Sequence, residues 1–214
     1  MSDIKLYDAI VVVTPKDFKR VESNNKRIVE YLPVRKVLFV GSKELGELVE
    51  QSSFGDKAGF VDENDIIPFD DVYNCLKDVM ADILLGRELP RGLVGWYYQQ
   101  FLKLQYARMC KDEYYMSWDG DTVPCKNFSM FSDDGRPYFD LKHEFHQEYF
   151  ITMNKLLPNL DKTIDKSFIS EHMIFNCKYL VKMLEDIESN ENIEGVTFWE
   201  KILHSIRLEH IQEN

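Results

Sequence analysis

Asp8-Ala9-Ile10-Val11-Val12-Val13-Thr14-Pro15 decides the fold class. The run from Ala9 to Val13 is apolar, mostly β-branched and shows no polar alternation. That is the pattern of a strand covered on both faces, as in a mainly parallel sheet. Thr14-Pro15 then reads as a helix N-cap followed by proline at the first helical position, with Asp17 in the first turn. The helix is expected to reach about Glu30, where Leu32-Pro33 ends it. Lys36 to Val40 reads as a second buried strand closed by Gly41-Ser42, and residues 43–51 as a second helix. Strand, helix, strand, helix predicts an α/β fold with a mainly parallel sheet and helices on both faces.

Further along, Gly59-Phe60-Val61 is expected as a short third strand and Asp62-Glu63-Asn64-Asp65 as an acidic loop. Val72, Cys75, Leu76, Val79, Met80 and Ile83 recur at helical spacing. Residues 93–109 read as a helix with little polar face, and Tyr114 to Trp118 as the next strand. Beyond it, Phe128–Phe131 and Pro137–Phe139 read as extended pieces around the turn Asp133-Asp134-Gly135. Helices are expected over 143–157, 178–188 and 197–210, with a strand within 168–175. No repeat or long linker divides the chain, so 1–214 is expected as a single domain. The more regular part runs to about residue 121 and a more irregular part covers about 122–214.

Composition excludes several classes. With 214 residues, 44% hydrophobic and 13% aromatic content, the chain is neither disordered nor too small for a core. Its net charge is −11, and segment by segment it is +1 over 1–50, −6 over 51–90, −1 over 91–160 and −5 over 161–214. No segment carries the basic footprint of a nucleic-acid binder. The local basic group Lys16, Lys19, Arg20, Lys26, Arg27, Arg35 and Lys36 is interspersed with acids, as on a solvated helix face. No apolar stretch is long enough to span a bilayer and no signal peptide is visible, so a cytoplasmic location is expected. The four cysteines, 75, 110, 125 and 177, form no CxxC pair, which argues for free thiols in a reducing compartment.

The chemistry concentrates at Trp118-Asp119-Gly120-Asp121-Thr122. Two carboxylates separated by one glycine follow directly on a strand, where they can turn toward a shared ligand. Glycine between them permits a bend and close approach. Hard divalent cations prefer oxygen ligands, and Mg²⁺ or Mn²⁺ held by a few carboxylates completes its shell with phosphate oxygens. The carboxyl ends of parallel strands are also where α/β sheets place ligands. The pattern therefore predicts a metal with a phosphorylated substrate.

Three stretches in this order resemble bacterial GT-A-type nucleotide-sugar glycosyltransferases. These are the strand and proline-started helix of Ala9–Asp17, the helix around Trp96-Tyr97-Tyr98-Gln99-Gln100, and the strand ending in Asp119-Gly120-Asp121. The particular likeness is to a group associated with surface-polysaccharide and lipopolysaccharide synthesis. The segment Ser167 to Asn176 is similar to a motif of that group, and the likeness covers roughly 6–188. It implies a GT-A-like fold and a metal-dependent transfer of sugar from a nucleotide-sugar, UDP-linked being the expected class, to a surface glycan or glycolipid. Peripheral contact with the inner membrane would follow. It also implies that Asp119 and Asp121 hold Mn²⁺ or Mg²⁺ on the donor diphosphate, Asp121 being the more direct ligand. Thr14 and Pro15 then lie where the nucleoside binds, Gln99, Gln100 and Lys103 face donor sugar or phosphate, and Asp62 touches the nucleoside. Trp118 walls the sugar pocket and Gly120 lets the backbone approach the ligand, with about 1–121 as the donor half and about 122–214 as the acceptor half. Glu171 is expected as the base that deprotonates the acceptor hydroxyl, or as its positioning group, and His172 as a further metal ligand. Neighbours in a strand point to opposite faces, so only one of those two should enter the site.

Two other readings compete. An apolar strand followed by Asp119-Gly120-Asp121-Thr122-Val123 is similar to the haloacid-dehalogenase-like phosphatases, in which the first aspartate is a nucleophile and the second a general acid. Against it, that strand normally lies near the N-terminus, and here about 110 residues of α/β pattern precede it. Asp133-Asp134 reads as a turn rather than as the second acidic pair. The non-enzymatic alternative is a catalytically weak nucleotide-sugar-binding protein, because members of the resembled group continue beyond the helix near 197–211. His143-Glu144-Phe145-His146 lacks the four-residue histidine spacing of a zinc protease and reads as a surface helix.

Overall fold

The computed structural model describes residues 5–144 and 146–206. Along the chain the elements are β1 (Ala9–Val12), α1 (Pro15–Arg20), α2 (Glu22–Tyr31), β2 (Val37–Gly41) and α3 (Lys43–Gln51). Then come β3 (Ala58–Asp62), α4 (Glu63–Ile66), α5 (Phe69–Val79), α6 (Ala81–Leu84), α7 (Arg91–Gln105) and β4 (Tyr114–Trp118). The rest comprises α8 (Gln147–Leu156), β5 (His172–Asn176), α9 (Cys177–Glu188) and α10 (Phe198–Ser205). The five strands form one sheet in the order β3-β2-β1-β4-β5. β1, β2, β3 and β4 run parallel, and β5 pairs antiparallel with β4, Trp118 opposite His172. This is the α/β architecture that the opening strand predicts, and its last strand comes from the second half of the chain.

Alternation along the strands sorts the core onto two faces. Ile10 and Tyr115 pack under α5, α7, α9 and α10 with Val72, Leu76, Phe101, Leu102, Leu184 and Phe198. Val11, Phe39, Met116, Trp118 and Ile174 pack on the other face with Phe18, Ile28 and Leu45 of α1, α2 and α3, and with Met130 of the irregular segment after β4. Burial on both sides is why these strands read as unbroken apolar runs. At the end of β2 a side chain on Gly41 would come within 2.6 Å of the Val13 carbonyl oxygen, so that position has room only for glycine.

Several boundaries differ from the sequence expectation. The helix expected over 15–30 is two, interrupted at Val21 (φ −115°, ψ 36°), whose N–H closes α1 on the Asp17 carbonyl. The acidic stretch after β3 is a helical turn rather than a loop: Asp62 caps α4, its side chain accepting from the Asn64 N–H at 2.9 Å. The helix expected from residue 143 begins at Gln147, with Phe145 outside the described residues. That expected over 197–210 runs to Ser205, and 207–210 also lie outside them. No helix among the described residues is long and apolar enough to cross a membrane.

Candidate functional site

From β1 the chain moves outward to β2 and β3, then returns across β1 to place β4 on its other side. The strand order therefore reverses between β1 and β4, and the carboxyl ends of strands at such a switch point are where α/β sheets place ligands. Val13-Thr14-Pro15 leaves β1 at that edge and Asp119-Gly120-Asp121 leaves β4 beside it. The two exits touch: a side-chain carbon on Gly120 would lie 3.4 Å from Val11 Cγ1 and 3.7 Å from Val13 Cγ2. Those are ordinary contacts and Gly120 has no left-handed φ, so the bend by itself does not demand glycine.

Asp119 is fixed from three directions. Its N–H donates to the Glu171 carbonyl at 2.9 Å, and its own carbonyl accepts from the Thr122 N–H at 3.0 Å. Its Oδ1 accepts from Lys103 Nζ at 2.6 Å. Lys103 is 9% exposed, so the ammonium is held beneath the end of β4 rather than in solvent. The Tyr115 hydroxyl bonds the Lys103 carbonyl and locks that turn of α7 onto β4. Burial pushes the Tyr115 hydroxyl pKa well up, which keeps it a neutral donor. Asp121 is exposed and has no hydrogen bond or ion pair among the described residues.

Gln99 and Gln100 stand one turn before Lys103 on the same face of α7 and are half-buried. At about 1.5 Å rise per residue they sit roughly 5 Å from Lys103 along the helix axis. Thr14 serves as the N-cap of α1, accepting from the Asp17 N–H at 3.1 Å, and Pro15 occupies the first helical position. Asp62 lies on the same edge of the sheet, two strands from β1, with its carboxylate engaged in capping α4.

Glu171 and His172 diverge. Glu171 is on the rim, its carboxylate accepting from Lys142 Nζ at 2.9 and 3.1 Å. That hydrogen bond lowers the carboxyl pKa, which makes Glu171 a weaker base than a free glutamate. His172 lies on the opposite face of the sheet from Lys103, stacked on the Trp118 indole with ring centroids 5.0 Å apart. Its Nε2 faces Asp140 Oδ2 at 3.7 Å.

For a divalent cation the fit is partial. Among the described residues no three His, Cys, Asp or Glu side chains come together as a ligand set, so Asp119, Asp121 and His172 are not assembled as one shell. The free carboxylate of Asp121 and the second oxygen of Asp119 do suit a hard cation bound by one or two carboxylates plus substrate phosphates. Sequence reasoning passed over Asp140, Tyr138 and Lys142. They reach the site through the irregular segment after β4, and no local spacing announces that.

The chain belongs to a family of unknown function (DUF6492), whose model matches residues 2–211. No curated protein matches it. Among solved structures it is similar to the galactosyltransferase LgtC in complex with donor and acceptor sugar analogs, at 13% identity and a TM-score of 0.48 over 92% of this chain and 69% of that one. An active-site mutant of LgtC gives 13% and 0.44 over 92% and 69%. The apo-form glycosyltransferase GlyE of Streptococcus pneumoniae TIGR4 gives 9% and 0.42 over 93% and 42%. Likenesses this distant carry nothing about ligand or reaction.

Proposed function

We propose that this member of the DUF6492 family is a metal-dependent glycosyltransferase that moves a sugar from a nucleotide-sugar, UDP-linked being the expected class, to a glycan or glycolipid acceptor. One observation carries the reading: two carboxylates, one exposed and without a partner among the described residues and one held by a buried lysine, lie at the switch point between β1 and β4. A paired-acid site of that kind suits a diphosphate carried with a cation. In this reading Asp121 and the second oxygen of Asp119 hold Mn²⁺ or Mg²⁺. When bound, the cation neutralises charge on the departing nucleoside diphosphate.

The chain's own groups do the rest. Lys103 holds Asp119 in one orientation and adds a positive charge beneath the phosphates. Gln99 and Gln100 offer amides to donor hydroxyls or phosphate oxygens. The β1 exit at Thr14-Pro15 receives the nucleoside, with Asp62 further along the same edge. Glu171 and Lys142 orient the acceptor at the rim.

The test is thermal stability against nucleoside diphosphates and nucleotide sugars, with and without Mn²⁺. A ligand binding only the folded state at a hundredfold excess over Kd adds about 2.7 kcal/mol. A Mn²⁺-dependent rise with one nucleotide class, lost in Asp121→Ala at unchanged unliganded stability, is the expected result. No shift with any nucleotide, together with phosphate release from small phosphomonoesters under Mg²⁺, would replace this reading with the phosphatase one.

A further inference from the structure

We infer that a cavity on the far side of the sheet from Lys103 binds a neutral pyranose ring, and that Tyr138, Asp140 and His172 recognise it. The inference rests on the transferase reading only in identifying this ring as the acceptor.

The cavity is about 280 Å³ and lies between the β4–β5 pair and the segment that follows β4. That size is at the small end for ligand sites, suiting one sugar ring rather than a nucleotide. Trp118 forms its floor, with both neighbours in place: His172 stacks on it and Phe128 lies 5.9 Å away at a 31° tilt. The Trp118 Nε1–H donates to the Thr122 carbonyl at 2.9 Å, so the floor is tied to the turn that carries Asp119 and Asp121. The chain from Trp118 to Thr122 thus connects the cavity with the two aspartates, neither of which lines it.

The roof is built, not loose. Ser132 N–H donates to the Arg136 carbonyl at 2.9 Å, Gly135 turns the chain with φ 79°, and Tyr138 N–H donates to the Met130 carbonyl at 2.9 Å. This holds Tyr138 over the cavity with 53% of its surface exposed and its ring in no aromatic contact among the described residues. A free aromatic face is what the C–H side of a pyranose covers.

The polar groups select the ligand class. The lining contains a carboxylate, an imidazole and the Ser129 hydroxyl, and neither lysine nor arginine. Such a lining disfavours phosphate or carboxylate ligands and accepts hydroxyls. Asp140 Oδ2 and His172 Nε2 are 3.7 Å apart, beyond a direct hydrogen bond, and a single hydroxyl can sit within bonding distance of both. Ser170 Oγ donates to the same Asp140 oxygen at 3.4 Å and orients it. His172 therefore belongs with this cavity.

The experiment titrates a panel of methyl pyranosides into the full chain and follows saturation-transfer difference NMR. At least one pyranoside should bind with Kd on the order of millimolar, as fits so small a ligand. Tyr138→Ala and Asp140→Asn should each weaken it at least fivefold. Tyr149→Ala on α8, comparably exposed and outside the cavity, should leave it unchanged. No binding by any pyranoside, or binding indifferent to both cavity variants, overturns the inference. The nucleotide titration on the unaltered chain is read separately. Pyranoside binding without nucleotide binding would keep the cavity and remove the transferase reading, and the converse would do the reverse.

Discussion

Removing the two partners of the Lys103–Asp119 pair should have unequal effects. Lys103 is 9% exposed and bonds Asp119 at 2.6 Å, whereas the Asp119 side chain is 37% exposed. In Asp119→Ala the ammonium stays buried with no counter-charge, a defect that costs about 3–5 kcal/mol in a fully buried pair. The lower end applies because the Asp119 side chain is more than a third exposed, so about 3 kcal/mol is expected. Lys103→Met keeps the apolar stem and removes the buried charge itself. It loses a charge-assisted hydrogen bond worth roughly 1.5–3 kcal/mol but also the cost of desolvating the lysine, while Asp119 regains water. About 1 kcal/mol remains. The double variant should then cost about 1 kcal/mol as well, giving a coupling of about 3 kcal/mol. Urea unfolding of the four proteins measures this directly. In melting temperature, Asp119→Ala should fall by about 6–12 °C, since a chain of this length loses roughly 2–4 °C per kcal/mol. If Asp119→Ala costs no more than Lys103→Met, the ammonium reaches solvent and the argument fails. The outcome also governs how activity is read, because loss of function in Asp119→Ala alone would mix a folding defect with a lost ligand.

Other expectations are more local. Glu200 closes the capping box of α10, accepting from the Thr197 N–H at 2.7 Å and the Val196 N–H at 2.9 Å, so Glu200→Ala should lower unfolding free energy by about 1–2 kcal/mol; an unchanged urea midpoint would contradict that. Burial raises the Cys75 thiol to about 11 and the Cys177 thiol to about 12, and pushes Tyr98, Tyr106 and Tyr115 upward. The native state then keeps protons that the unfolded chain releases, so stability should fall as pH rises from about 9 toward 12, and a urea midpoint that holds steady or rises there would refute it. Cys125 is exposed while Cys177 is buried and Cys75 and Cys110 are half-buried. A thiol reagent should therefore find one fast group, abolished by Cys125→Ser, and a second fast equivalent in the native protein would disagree.

Much of the first half was legible from local pattern. Buried parallel strands are apolar along their whole length, and a Thr-Pro start fixes a helix by capping and by φ, so β1, β2, α1 and α3 follow from a few residues each. Residues 43–51 and 114–118 form the helix and strand expected of them. The paired acids were equally legible because Asp119 and Asp121 are neighbours in sequence. Less legible was the α1–α2 break, since Val21 lies inside a stretch whose helical periodicity continues past it. The α4 turn was missed because Asp62 as a helix cap and Asp62 as a loop acid look the same in isolation.

Short stretches of chain fix that this protein has an α/β core and that two carboxylates one residue apart follow one of its strands, because strand burial, capping and sequence proximity are properties of a few consecutive residues. Long-range packing sets β4 beside β1 and β5 against it, puts Lys103 under Asp119, and gathers Tyr138, Asp140 and His172 around one cavity. Those pairings join residues 16 to more than 100 positions apart, and what selects them is the burial of both sheet faces at once, a constraint that no local window of sequence contains.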